Sequence, residues 1–294
     1  MQKKIFFSVI IPTYNRGKKI TKAIKSVIAQ TYPNWELIII DNKSNDQTEK
    51  IVKSFNNKKI FFYQIENDGI IAKSRNFGIS KSLGNYLCFL DSDDWWDKDK
   101  LRQVTLAAEK GYLFIYHGHY VYAPNRLISK RKIISRSYNK PVFKNLIKYG
   151  PTFANSSVVV EKNIFEKVNC FDEDKNYIAW EDWDAWLRVS NITDSFYKID
   201  KILSTILVDG NNFLDSNLAI KNMDSFFKKY IKPDQITPEW CLYNLLSYEF
   251  KLKNYKRAKE ILKKVNFFKL NNFQKINYIK INLITYFDKY KSNQ

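Results

Sequence analysis

Short apolar runs recur along the first two thirds of the chain, and several lead straight into polar clusters. Ile5 to Ile11 ends at Pro12, Thr13, Tyr14 and Asn15. Leu37 to Ile40 ends at Asp41 and Asn42, and Tyr86 to Leu90 at Asp91, Ser92 and Asp93. Ile60 to Tyr63 is a further run of the same kind. Continuous runs this short suit strands buried on both faces. Between them apolar residues fall at helical spacing: Ile20, Ile24, Val27 and Ile28, then Ile51, Val52 and Phe55 behind a cap at Ser44 to Asp46, then a helix around Ala72 to Ser82. Strands alternating with helices over short connections predict an α/β fold, a mostly parallel, doubly wound sheet flanked by helices. Parallel strands end at one edge, so the three polar clusters meet there, where open α/β sheets bind ligands.

The later pattern is less regular. Leu113 to Tyr122 is long, aromatic and rich in strand formers. It holds both histidines, His117 and His119, at strand spacing on one face, which reads as packing because no third metal ligand is near. Residues 124–140 are basic with little pattern, an exposed ribbon or mobile loop, and Asn155 to Val160 reads as another strand. Trp180 to Val189 reads as a helix opening with acids. From about Asn217 glycine disappears and the period is helical. Trp240, Tyr243, Leu246 and Phe250 form one stripe; Tyr255, Ala258, Ile261, Leu262 and Val265 form the next. Residues 273–290 form a last amphipathic segment with Lys275, Lys280 and Lys289. The expected division is 1–215, with a nucleotide half at about 1–97 and an acceptor half at about 98–215, and then a basic C-terminal α-helical extension, 216–294.

Composition narrows the partners. The 294 residues are 45% hydrophobic and 16% aromatic, enough for a real core. A net charge of +19 calls for an anionic partner: nucleic acid, a phosphorylated substrate or an anionic membrane surface. Cys88, Cys170 and Cys241 are far apart and odd in number, which fits a reducing compartment. The N-terminal apolar run meets Pro12 too early for a signal peptide, and no run approaches a membrane span of about 20 residues. The expected location is cytoplasmic, soluble or peripheral on the inner face of the membrane.

The acids carry the chemistry. Asp is a poor strand residue and costly to bury alone. Asp91 and Asp93, one residue apart on a turn, either cap the helix beginning near Lys98 or face one hard cation or a ribose, and a divalent metal (Mn2+ or Mg2+) with a nucleotide diphosphate fits them. Lys73 and Arg75 either neutralise phosphates near that edge or line a solvated helix face. With no Gly-x-Gly-x-x-Gly and no Walker loop, dinucleotide redox and P-loop chemistry lose support. Glu181 and Asp182 either cap their helix or provide a general base, which the helix dipole would keep ionised at neutral pH. Trp180 and Trp183 could wall a sugar ring, and Asn155 is grouped with them on the acceptor side.

Phe7 to Asn15 (FSVIIPTYN), Asp41 to Thr48 (DNKSNDQT), Ser74 to Gly78 (SRNFG), Gly84 to Asp94 and Glu181 to Arg188 (EDWDAWLR) occur in the order seen in family 2 glycosyltransferases. Over roughly residues 5–210 the chain resembles that family. The resemblance implies a GT-A, Rossmann-like fold and an inverting enzyme using a UDP-sugar. It implies a nucleoside pocket at Pro12, Thr13, Tyr14 and Asn15, with Asp41 on the uracil edge and Arg75 on the base or diphosphate. Asp91, Ser92 and Asp93 would be the metal–diphosphate motif, Asp93 the direct ligand. Asp182 would be the catalytic base, with Glu181 beside it. Many relatives carry a histidine after the last core strand; here Asp209, Asn211 and Asn212 stand instead. The expected partners are a nucleotide sugar, a glycan or lipid-linked acceptor and an anionic membrane surface, with no nucleic acid. The C-terminal helices suit a membrane surface or a homo-oligomer equally. A catalytically weak scaffold and a nucleic-acid binder are the rival readings.

Overall fold

The computed structural model describes residues 4–291 apart from 127, 210–215, 232–236 and 271. The chain divides into two compact units, Met1–Phe143 with Pro151–Asn212, and Lys144–Gly150 with Phe213–Gln294. In the first, β1 (Phe7–Thr13), α1 (Gly17–Ile28), β2 (Trp35–Asp41), α2 (Thr48–Ser54), β3 (Ile60–Gln64), α3 (Ile71–Lys81) and β4 (Tyr86–Phe89) alternate strictly. Then come β5 (Trp95–Trp96), α4 (Lys100–Ala108), β6 (Phe114–Tyr122) and β7 (Lys130–Ile133). After α5 (Val142–Tyr149), which falls largely in the second unit, the first unit resumes with a 3-10 turn (Asn155–Ser157), β8 (Val158–Glu161), α6 (Lys162–Lys167), α7 (Glu181–Ile192) and β9 (Phe196–Leu207).

The strands form one sheet in the order β3-β2-β1-β4-β8-β6-β9-β5, with β7 against β6. The half from β3 to β4 is wholly parallel. Every residue of β1, β2 and β4 is buried, as the continuous apolar runs require. One face of the sheet packs Val9, Ile11, Leu37, Ile39 and Cys88 against Ile20, Ile24 and Val27 of α1 and Leu101 and Val104 of α4. The other face carries an aromatic cluster. Phe89 lies 4.9 Å from Phe171, and Trp186 of α7 lies 5.2 Å from Phe114 and 5.4 Å from Phe165 between ring centroids. That cluster anchors α7 through its buried face.

Beyond β4 the structure departs from the sequence pattern. β8 runs antiparallel between β4 and β6, so the second half of the sheet is mixed. Asn155 is in the 3-10 turn ahead of the strand, not in it. The basic stretch 124–140 contains a ribbon, β7 on β6, whose alternation is hidden by its run of Lys and Arg. The register shifts on both sides of Gly118, so alternation between His117 and His119 is broken. Burial holds both rings neutral, His117 well below the usual histidine range and His119 down to about 4.

In the second unit, α8 (Ser216–Tyr230), α9 (Glu239–Lys251), α10 (Tyr255–Leu262) and α11 (Asn272–Lys291) follow. The α9 and α10 stripes meet as the spacing predicts: Tyr243 and Leu246 share a core with Ala258, Ile261, Leu262, Val265 and Ile281. Among the described residues no helix is long and apolar enough to cross a membrane.

Close approach explains Gly84, at the entry to β4. A Cβ there would stand 2.6 Å from the Ser8 nitrogen and 2.7 Å from the Phe6 oxygen, both main-chain atoms. Gly84→Ala is expected to cost about 1–3 kcal/mol, the usual scale of overpacking, read as a lower urea midpoint at unchanged m-value.

Candidate active site

The parallel register brings the polar clusters to one edge. Thr13 pairs with Asp41 across β1 and β2, and Ile10 with Phe89 across β1 and β4, so Asp91 follows two residues beyond the aligned pair. A cleft of about 390 Å3 opens at this edge, lined by Pro12, Thr13, Tyr14, Asp91, Ser92 and Asp93 of the predicted set. Arg16, Asn42, Asn67, Gly69, Ile71 and Ser74 line it too. Asn67 donates from Nδ2 to the Ser74 hydroxyl at 2.8 Å, both buried. Sequence reading passed over Asn67, although it belongs to a polar turn after the third apolar run.

Two predicted residues support the cleft from behind. Asn15, at φ 50°, takes a hydrogen bond from the Asn45 N–H at 3.0 Å and donates its own N–H to the Ser44 hydroxyl at 2.8 Å. Asp41 is fully buried. It accepts from the Ser44 N–H at 2.9 Å, the Ser44 hydroxyl and Gln64 Nε2 at 3.1 Å. Its carboxylate thus shapes the Asp41–Asn45 turn against which Asn15 is bonded. Lys73 pairs with Asp68 at 2.6 Å and does not line the cleft.

Arg75 is the centre of the arrangement. It is 4% exposed, donating from Nη2 to Asp91 at 2.9 Å and from Nη1 to Glu181 at 2.7 Å. The resemblance expects it at the base or diphosphate; in the structure its two Nη atoms meet carboxylates far apart in the chain. Burial works against its charge, but Asp91, Glu181 and Asp182 outweigh that and hold it above the ordinary arginine value. Thr13 Oγ1, Arg75 Nε, Glu181 Oε2 and both ends of the Asn155 carboxamide are buried with no hydrogen-bond partner among the described residues. Buried polar atoms are normally satisfied, so a polar ligand or ordered water is the ordinary partner for them.

Asp182 is in the first turn of α7, where its Oδ1 takes the Trp183 N–H at 2.7 Å. Its carboxyl is pushed up to about 7, first by burial and then by Glu181, with Arg75 and the Trp183 N–H opposing. The helix dipole alone would have kept it ionised; desolvation and the neighbouring acid reverse that expectation. Asp184 serves the fold: fully buried, it accepts from Arg188 Nε at 2.7 Å, while Arg188 Nη2 reaches the Cys170 carbonyl at 2.7 Å. Trp180 and Trp183 are buried, leaving little ring surface open to a sugar.

The third acid after β4 also differs from its neighbours. Asp94 is buried, accepting from the Ser156 hydroxyl at 2.6 Å and the Leu207 N–H at 3.0 Å. Fully buried Lys100 stands 3.6 Å over the Trp96 ring, its pKa pushed down to about 7 by burial. Asp209, a candidate stand-in for the histidine, is ion-paired to Lys19 at 2.5 Å; Asn211 and Asn212 lie outside the described residues.

Asp91 and Asp93 fit one kind of metal. Among the described residues no group of three His, Cys, Asp or Glu side chains could hold an ion by itself. Two cleft-lining carboxylates do suit Mg2+ or Mn2+, which takes one or two carboxylates and completes its shell with phosphate and water.

A model of glycosyl transferase family 2 matches residues 8–168. The chain belongs to that family. It is 31% identical over 290 residues, 95% of its length, to an uncharacterized glycosyltransferase of Rickettsia conorii, and covers 45% of that protein. Over 124 residues, 42% of its length, it is 34% identical to WfgD of Escherichia coli and covers 49% of it. WfgD is described as a UDP-Glc:alpha-D-GlcNAc-diphosphoundecaprenol beta-1,3-glucosyltransferase. The chain thus spans under half the length of these relatives. In three dimensions it resembles S. aureus TarS 1–349 in complex with UDP-GlcNAc, at TM-score 0.59 and 20% identity, covering 93% of this chain and 79% of that one. This likeness establishes the GT-A type of fold.

Arg75→Met would leave Glu181 buried without its counter-charge, at an expected cost of about 3–5 kcal/mol. Adding Glu181→Gln should recover a large part of that loss. Urea denaturation of the two single variants and the double variant reads the coupling directly.

Proposed function

We propose that this chain is an inverting glycosyltransferase. It moves a hexose or N-acetylhexosamine from a UDP-sugar to a hydroxyl of a glycan or lipid-linked acceptor in bacterial polysaccharide or glycoconjugate synthesis. The carrying observation is the Arg75 bridge, which ties Asp91 beside the cleft to the first turn of α7, where Asp182 has a raised pKa. The donor class is supported by WfgD, named for UDP-glucose, and by the UDP-GlcNAc complex of the structurally similar TarS.

In this reading Pro12, Thr13, Tyr14 and Asn15 form the nucleoside end of the site, with Asp41 behind them. Asp93, with Asp91, would hold a divalent cation, which when bound would neutralise the negative charge developing on the leaving diphosphate. Arg75 keeps Asp91 and Glu181 in place through its two Nη atoms, which leaves its Nε for a ligand or water. Asp182 takes the proton of the acceptor hydroxyl as that oxygen bonds to the anomeric carbon. The bond from that carbon to the diphosphate oxygen breaks on the opposite face, so the centre inverts. UDP departs and the proton stays on Asp182. A carboxyl near pKa 7 suits this task, because a general base works best when its pKa is close to the working pH. Asn155, with its unpartnered carboxamide, is assigned to the sugar or acceptor hydroxyls.

Asp182→Asn is expected to lower kcat by about 10²–10⁴ while UDP affinity holds. For the unmodified enzyme kcat/KM should fall as pH drops below about 7, because the base must be ionised and its pKa is raised to about that value. Turnover of a UDP-sugar panel across pH 5–9 measures both, and full activity in Asp182→Asn would remove the assignment.

A lipid-linked acceptor places the enzyme, as a peripheral protein, against an anionic membrane surface on the cytoplasmic side. Residues 239–291 hold twelve Lys and Arg against four Asp and Glu. Opposite its buried Ile281 and Thr285, α11 exposes Ile276, Ile279 and Leu283 beside Lys280. Basic residues beside an apolar stripe suit the interface of an anionic bilayer. Co-sedimentation with phosphatidylglycerol vesicles, but not with phosphatidylcholine vesicles, is the expected outcome, reduced in Ile279→Asp.

A further inference from the structure

Asp91 is held twice, and only one of the holds is visible in the chemistry just described. Its side chain meets Arg75, but its main-chain N–H donates to the Ser156 hydroxyl at 3.1 Å. The same hydroxyl donates its proton to Asp94 at 2.6 Å, so Asp94 fixes the direction in which its lone pairs face Asp91. The Asp94 N–H returns to the Asp91 carbonyl at 3.0 Å and closes the turn that presents Asp93. The Ser156 carbonyl is held as well, by Lys100 Nζ at 2.8 Å and Trp96 Nε1 at 2.9 Å. Ser156 is 1% exposed and Lys100 is fully buried. A lysine amine taken wholly out of water is costly to keep, charged or neutral, unless it is hydrogen-bonded, and here its bond goes to the Ser156 carbonyl under this turn.

We infer that Ser156 is a positioning residue for the Asp91–Asp93 turn, and that Lys100, through the Ser156 carbonyl, holds Ser156 at the height where its hydroxyl meets both Asp91 and Asp94. The residues act on the ligand only through Asp91 and Asp93. The inference rests on the reading of those two acids as the cation–diphosphate site. It extends that reading to a serine remote in sequence and to a lysine that no step of the transfer uses. Groups that orient metal-ligating carboxylates typically contribute about 10–100-fold to metal affinity.

The test is calorimetric titration of UDP with and without Mn2+, alongside thermal unfolding. Ser156→Ala is expected to weaken Mn2+-dependent UDP binding on the order of tenfold. The metal-independent affinity for uridine should stay within about twofold, because the nucleoside end does not depend on this turn. Lys100→Met, which keeps the length of the stem, should shift the same quantity in the same direction. If Ser156→Ala fails to fold, the Lys100→Met titration decides. Unchanged Mn2+-dependent affinity in a folded variant overturns the inference, as does an equal loss of uridine and UDP·Mn2+ binding, which marks a general structural role. Failure of the unmodified protein to bind UDP with Mn2+, or retention of that binding in Asp93→Ala, overturns the underlying site reading instead.

Discussion

Four carboxylates, Asp91, Asp93, Glu181 and Asp182, are gathered at one region of the sheet edge, and the buried Arg75 guanidinium is what allows them to be there. Two like charges about 4 Å apart repel by about 4 kcal/mol at an effective dielectric of about 20. One planar cation with donors in a rigid fork can answer two carboxylates at once in fixed directions, where a lysine offers only a point charge on a flexible stem. Its position on α3 follows from the fold, since that helix packs across β1 and β2 beside the edge where their strands end. Without this bridge the first turn of α7 and the turn after β4 would each carry acids with every electrostatic reason to separate.

Burial sorts the acids into kinds. Asp41, Asp94 and Asp184 are buried, and each spends its oxygens on specific donors from a neighbouring turn, strand or helix. They hold the backbone. Asp91 and Asp93 line the cleft, where their oxygens can meet a ligand. Asp182 stands between these kinds: partly covered, and raised in pKa by burial and by Glu181. The difference is one of surroundings, since all are the same side chain, and a tripeptide such as Asp91-Ser92-Asp93 is inert until the groups behind it are fixed.

The two faces of the sheet do different jobs. Aliphatic packing under α1 and α4 stiffens the parallel strands and so fixes where they end. The aromatic cluster on the other face locks Trp186, and with it the axis of α7. A side chain carried by a helix is then as well placed as the helix itself, which favours a site built on regular elements over one built on loops.

The alternating apolar runs and helical periods were sufficient for the parallel half of the sheet, for the shared edge at which its polar clusters fall and for the α9–α10 hairpin. Each rests on local spacing, which a linear reading can follow. Short motifs in a shared order also pointed to the family; of the acids they single out, Asp91 and Asp93 line the cleft and Asp182 is in the first turn of α7. The antiparallel return of β8 and the partners of Arg75 could not be read this way, because they depend on which distant segments become neighbours, whereas the ribbon in 124–140 is local and was one of its two readings. Ser156 and Lys100 carried no signal at all: a serine after an asparagine and a lysine at a helix start are ordinary in sequence. Only the tertiary structure set Arg75 between its two acids and raised the pKa of Asp182, since desolvation and charge pairing are properties of three-dimensional surroundings and not of residue order.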